Sequence, residues 1–128
     1  RILVVDDDRE IVRLLRGYLE QAGFEVLMAY DGETAVHTLR REKPDLLILD
    51  LMLPDRAGLD LLPEIKAADP HLPVVVITAY SSVESAIEAM RLGAFHYVPK
   101  PFKNEEVLHL VRRAAERDIT KPGTIAIL

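Results

Sequence analysis

A few side chains in this 128-residue sequence could do chemistry together. Asp6, Asp7 and Asp8 stand in a row behind the apolar run Ile2-Leu3-Val4-Val5. Asp50 closes a second run, Leu46-Leu47-Ile48-Leu49, and Thr78 closes a third, Val74-Val75-Val76-Ile77. Lys100 sits between Pro99 and Pro101, just past a shorter run at 95–98. Brought together, two or three of the carboxylates would repel one another and need a cation. All-oxygen ligands without His or Cys favour Mg²⁺ or Mn²⁺ over zinc. Magnesium keeps some waters and usually completes its shell with phosphate oxygens. A lysine ammonium can offset the remaining charge and hold an anionic oxygen, and a threonine hydroxyl can donate to the same group. The set suits phosphoryl transfer, where positioning and charge neutralisation supply most of the catalysis. A carboxylate is a recognised phosphoryl acceptor.

Positioning these groups falls to five strand–helix pairs. The first run is a strand; a helix follows from Ile11, with Ile11, Leu14, Leu15, Tyr18 and Leu19 on one face and Gly23 as its C-cap. A second strand spans 25–29. A helix over 32–42 is stopped by Pro44. The third strand is apolar on both faces and so belongs in the middle of a covered sheet. Helix three spans about 58–68, with a kink or late start at Pro63. After the fourth strand, Ser81 or Ser82 caps helix four, whose face is Val83, Ala86, Ile87 and Met90, and Gly93 ends it. After the fifth strand, Asn104 caps helix five, with Val107, Leu110, Val111 and Ala114 on its face.

Strands alternating with helices predict an α/β fold, a parallel five-stranded sheet with right-handed crossovers. The doubly wound, flavodoxin-like (βα)5 order 2-1-3-4-5 puts helices one and five on one face and helices two to four on the other. Sites in such sheets form at the carboxyl ends of the strands. That order sets strands one, three, four and five side by side, so the acids, Thr78 and Lys100 converge on one rim.

Composition narrows the possibilities. The length suits one domain, and 49% hydrophobic residues allow a sizeable core. A net charge of −5 makes this domain a poor binder of nucleic acid or an anionic membrane through its own field. The absence of cysteine excludes disulfides and thiolate chemistry and fits a cytoplasmic setting. Apolar runs are too short to span a bilayer. The chain opens at Arg1 inside a strand, so an excised fragment is expected. A domain over residues 1–117 is expected, with 118–128 a tail or the start of a linker to a missing output domain.

The sequence resembles the response-regulator receiver family of bacterial two-component systems. Val4-Val5-Asp6-Asp7 matches its acidic first-strand motif, Leu49-Asp50-Leu51-Met52-Leu53-Pro54 its phosphoacceptor segment, and Thr78-Ala79 its switch threonine and small residue. Tyr97 and Lys100-Pro101-Phe102 match its switch aromatic and lysine–proline motif. Order and spacing all agree. The resemblance implies that Asp50 accepts a phosphoryl group from a sensor histidine kinase. Asp7 and Asp50, with the backbone carbonyl of Met52, would bind Mg²⁺ (or Mn²⁺), and Asp6 would act directly or through a coordinated water. Thr78 and Lys100 would grip the phosphoryl oxygens. Thr78 would shift, Tyr97 would turn inward, and the surface of helix four, strand five and helix five would be remodelled. That face also serves family members as a homodimer contact. The Lys100–Pro101 bond would be cis. The run 79–102 is most similar to receivers of the nitrogen-regulator class, which precede an ATPase that activates sigma-54 polymerase and a DNA-binding domain. This points to a transcription-regulating switch that catalyses its own aspartyl phosphorylation and dephosphorylation, more than to an enzyme.

Plainer roles compete at several positions. Asp8 reads as a helix cap. Thr78 can simply end a β-branched strand, Tyr97 can be a static half-buried aromatic, and Lys100 a solvated loop residue. His37, His71, His96 and His109 share no face. Arg112, Arg113 and Arg117 complement the dipole of helix five. Among rival functions, a haloacid-dehalogenase-type phosphatase needs a second acid two residues after its nucleophile, where this chain has Met52. A nucleotide or flavin binder needs a glycine-rich loop where this chain has three acids. A pseudo-receiver would lack one of the competent residues, and none is missing.

Overall fold

The fold is that of a computed structural model, which describes residues 1–79 and 81–120, with side chains through Glu116. The elements are β1 (Ile2–Val5), α1 (Arg9–Gln21), β2 (Val26–Ala29), α2 (Gly32–Glu42), β3 (Leu46–Leu49), α3 (Gly58–Ala68), β4 (Val74–Thr78), α4 (Val83–Arg91), β5 (His96–Pro99) and α5 (Asn104–Thr120). The strands form one parallel sheet in the order β2-β1-β3-β4-β5, as the alternation predicts.

Period-two alternation divides the core in two. Leu3, Val5, Leu47, Leu49, Val74 and Val76 face α2, α3 and α4, where they meet Ala35, Leu39, Leu61, Leu62, Ile65 and Ala89. Ile2, Val4, Leu46, Ile48, Val75 and Ile77 face α1 and α5, where they meet Val12, Leu15, Leu19, Val107, Leu110, Val111 and Ala114. Every residue of β1, β3 and β4 is buried; only the edge strands β2 and β5 expose side chains.

Several expectations need correction. On α1 the buried residues are Val12, Leu15 and Leu19, while Leu14 is exposed. On α4 the expected inner face is the outer one: Val83, Ile87 and Met90 are 74%, 56% and 47% exposed, and Ser85 and Ala89 lie inside. Small residues let the helix approach the sheet closely. α3 starts at Gly58 with Pro63 inside it, so no late start occurs. β2 begins at Val26, and β5 begins at His96. Lys103 precedes α5 and its carbonyl accepts the first helical bonds, which makes Asn104 the first helical residue and not the cap. α5 runs to Thr120, into the stretch expected as a tail from 118; Arg117 and the residues after it lie outside the described side chains. Ser82 is the α4 cap, and Gly23 and Gly93 take positive φ past their helices.

Candidate functional site

Register brings the rim residues together. Val5 pairs with Leu49, and the amide of Asp50 donates to the Val5 carbonyl at 2.9 Å, so the residues after β1 and β3 are neighbours. Thr78 pairs with Pro99, and the amide of Lys100 donates to the Thr78 carbonyl at 2.9 Å. The Lys100–Pro101 peptide is cis. Lys100 Nζ then donates to Asp6 Oδ2 at 2.7 Å and to Asp50 Oδ2 at 3.1 Å.

Asp6 and Asp50 are 4% and 5% exposed. Burying two carboxylates is costly unless they are paired and hydrogen-bonded, and both are. Asp6 Oδ1 accepts from the Asp8 amide at 2.9 Å, and Asp50 Oδ1 accepts from the Met52 amide at 3.1 Å. Burial still pushes the Asp6 carboxyl up to about 6; the Lys100 and Asp8 hydrogen bonds pull it back only in part. For Lys100, burial favours the neutral amine, but bonding to Asp6 and the charges of both acids outweigh it and hold the ammonium above its usual range.

Asp7 is exposed at the rim, and one oxygen each of Asp6, Asp7 and Asp50 lie within 4.8 Å of one another. Three acids face one ammonium. This uncompensated oxygen cluster, without imidazole or thiolate, fits a hard divalent cation. Thr78 is fully buried at the end of β4, on the same sheet face as Val74 and Val76. Tyr97 is half-buried on that face as well, in register with Val76. Met52 is exposed in the loop after β3.

Asp8 caps α1, accepting from the amides of Glu10 and Ile11 at 3.0 and 3.3 Å. The four histidines are exposed, and none joins the acidic cluster.

Three supporting residues were not visible in the sequence. A Cβ on Gly58 would stand 2.5 Å from Leu51 Cα and 2.9 Å from the Asp50 carbonyl oxygen, so only glycine lets α3 start so close to the acidic rim. Asp55 accepts from the amides of Gly32 and Glu33 at 2.8 and 3.0 Å and ties the loop after β3 to the start of α2; these bonds hold its carboxyl below the usual range. Ser85 Oγ lies 2.7 Å from Tyr97 Oη. The sequence signal for Ser85 was a polar residue on the side of α4 opposite its apolar stripe.

The family model for the response regulator receiver domain matches residues 2–112, and the chain belongs to that family. Members take a phosphoryl group on an aspartate within two-component signalling. The chain is 40% identical over 116 residues to Regulatory protein AtoC of Escherichia coli (strain K12), covering 91% of this chain and 25% of that protein. It is 40% identical over 126 residues to Response regulator MprA of Mycobacterium leprae (strain TN), covering 98% and 54%. Among solved structures, the receiver domain of NtrX from Brucella abortus superposes with a TM-score of 0.86 at 39% identity, covering 91% of this chain and 98% of that one. A CheY-like receiver domain protein from Methanospirillum hungatei JF-1 superposes with a TM-score of 0.92 at 28% identity, covering 95% and 98%. The chain spans a quarter to about half the length of these two curated relatives. Among the described residues, no helix is long and apolar enough to cross a membrane.

Proposed function

We propose that Asp50 is the phosphoryl acceptor of this receiver and that Asp6, Asp7, Thr78 and Lys100 serve its reaction. The bond from phosphorus to the imidazole nitrogen of a kinase phosphohistidine breaks as the bond to a carboxylate oxygen of Asp50 forms. The carrying observation is the Lys100 ammonium bonded to both Asp6 and Asp50 in a buried rim. Lys100 holds an anionic oxygen beside Asp50, and the Thr78 hydroxyl donates to another. Asp7 and Asp50, with the carbonyl of Met52, hold Mg²⁺ (or Mn²⁺); Asp6 takes part directly or through water. When bound, the ion neutralises charge that one lysine leaves uncompensated.

The domain acts as a switch that promotes its own phosphorylation and dephosphorylation. Thr78 moves toward the phosphoryl group, Tyr97 turns into the space left, and the face formed by α4, β5 and α5 is remodelled. The phosphoryl group adds about −1.5 to −2 charges and must bind the active arrangement better. The exposed Val83, Ile87 and Met90 stripe supports α4 as a contact face, for an output domain or a second copy in a homodimer. Residues from 118 on lead toward that output domain, in a cytoplasmic transcription regulator of the nitrogen-regulator, sigma-54 activator type; this domain itself does not bind nucleic acid. Incubation with acetyl phosphate tests the reading: uptake of one phosphoryl group, seen by mass spectrometry and abolished by EDTA, is expected. No uptake with Mg²⁺ present would overturn it.

A further inference from the structure

We infer that Ser85 is a positioning residue for Tyr97, tying the orientation of that aromatic to the first turn of α4. The inference deepens the switch reading above and rests on it. Ser85 is buried on the inner face of α4, where an apolar side chain would otherwise pack. Its Oγ accepts from the Ser82 amide at 3.2 Å, meets Ser82 Oγ at 3.1 Å, donates to the Ser82 carbonyl at 3.2 Å and lies 2.7 Å from Tyr97 Oη. The Ser85 amide in turn donates to Ser82 Oγ at 3.0 Å, closing the capping box of α4.

A hydroxyl has one proton and two lone pairs. Four contacts compete for that capacity at Ser85 Oγ: the amide, hydroxyl and carbonyl of Ser82 and the hydroxyl of Tyr97. Turning Tyr97 away withdraws one partner from a buried oxygen that also holds the helix cap. The Ser82 contacts that shared the oxygen with Tyr97 then take up the capacity it vacates, so the bonds of the cap redistribute as the ring moves. Tyr97 stands in register with Val76, two residues before Thr78 on the same face of β4. Ser85 thus connects a ring beside the reaction rim to the turn that begins the exposed α4 stripe. It touches neither the acids nor Lys100 in any contact described.

The test is NMR of the full chain with Mg²⁺ and beryllofluoride as the phosphoryl mimic. In the unmodified chain, amide shifts are expected to change at Thr78, at Tyr97 and across 82–86. In Ser85→Ala the changes at Thr78 and Tyr97 persist. Those across 82–86 shrink roughly fivefold, the factor equivalent to one hydrogen bond of about 1 kcal/mol. Tyr97→Phe removes the same bond from the other side and gives the same loss, the double variant adds nothing, and Ser85→Thr restores the response. If Ser85→Ala fails to fold, Tyr97→Phe and Ser85→Thr carry the comparison. Full-sized changes across 82–86 in Tyr97→Phe, or additive losses in the double variant, would overturn the link. Beryllofluoride binding that leaves Thr78 and Tyr97 unmoved in the unmodified chain would overturn the switch reading instead.

Discussion

Lys100 Nζ stands 2.7 Å from Asp6 Oδ2 although 94 residues separate them in the chain. The bond joins the tips of β1 and β5, which are not neighbours in the sheet, and passes over Asp50 at the tip of β3 between them. Removing the amine leaves two buried carboxylates facing each other. Lys100→Met is predicted to destabilise the chain by about 1–3 kcal/mol. The loss stays below the larger figures for broken buried pairs because Asp6, already near 6, can take a proton. Urea denaturation checks this, and added Mg²⁺ is expected to recover part of the loss.

Asp6 also sets a pH dependence. Its carboxyl titrates near 3.8 when unfolded and about 6 when folded. The folded state therefore holds the extra proton between those values, and stability falls as pH rises through that window. In metal-free protein the urea midpoint is expected to fall from pH 4 to pH 6 more steeply than in Asp6→Asn. Mg²⁺ competes with the same proton, so calorimetric Mg²⁺ affinity is expected to rise over that range. Identical midpoint profiles for both proteins would contradict the assignment.

Gly58→Ala is predicted to act on both stability and chemistry. The new Cβ meets backbone at 2.5 and 2.9 Å, which cannot swing aside as a side chain would. The strain is expected to cost about 1–3 kcal/mol and to slow phosphoryl uptake, since the displaced backbone is that of Asp50 and Leu51. Unchanged uptake with unchanged thermal stability would show that the loop yields freely.

The outer stripe of α4 is predicted to be indifferent to folding and sensitive to association. Ile87→Glu, at a residue 56% exposed, is expected to change stability by less than about 0.5 kcal/mol. It is expected to weaken any beryllofluoride-induced dimer seen by sedimentation velocity.

The sheet was legible because β1 to β4 are short apolar runs bounded by turn residues, and its order followed from the alternation with helices. The rim was legible for the same reason: Asp6, Asp50 and Lys100 each follow a strand, Thr78 ends one, and parallel register does the rest. α4 was misread because periodicity marks an apolar stripe without saying which side the sheet is on. Ala89 and Ser85 go inside for their size, and Val83, Ile87 and Met90 are left outside. Leu14 and Val12 on α1 show a smaller error of the same kind. Ser85, Asp55 and Gly58 act through contacts across 12, 22 to 23, and a few residues of chain, and nothing in their local sequence announces the partner.

The most direct test is to locate the phosphoryl group itself. The chain is incubated with acetyl phosphate and Mg²⁺, digested under conditions that keep acyl phosphates, and mapped by tandem mass spectrometry beside Asp50→Asn. The group is predicted on Asp50 and is predicted to vanish in the variant. A phosphoryl group on another residue, or undiminished uptake by Asp50→Asn, would contradict the assignment of Asp50.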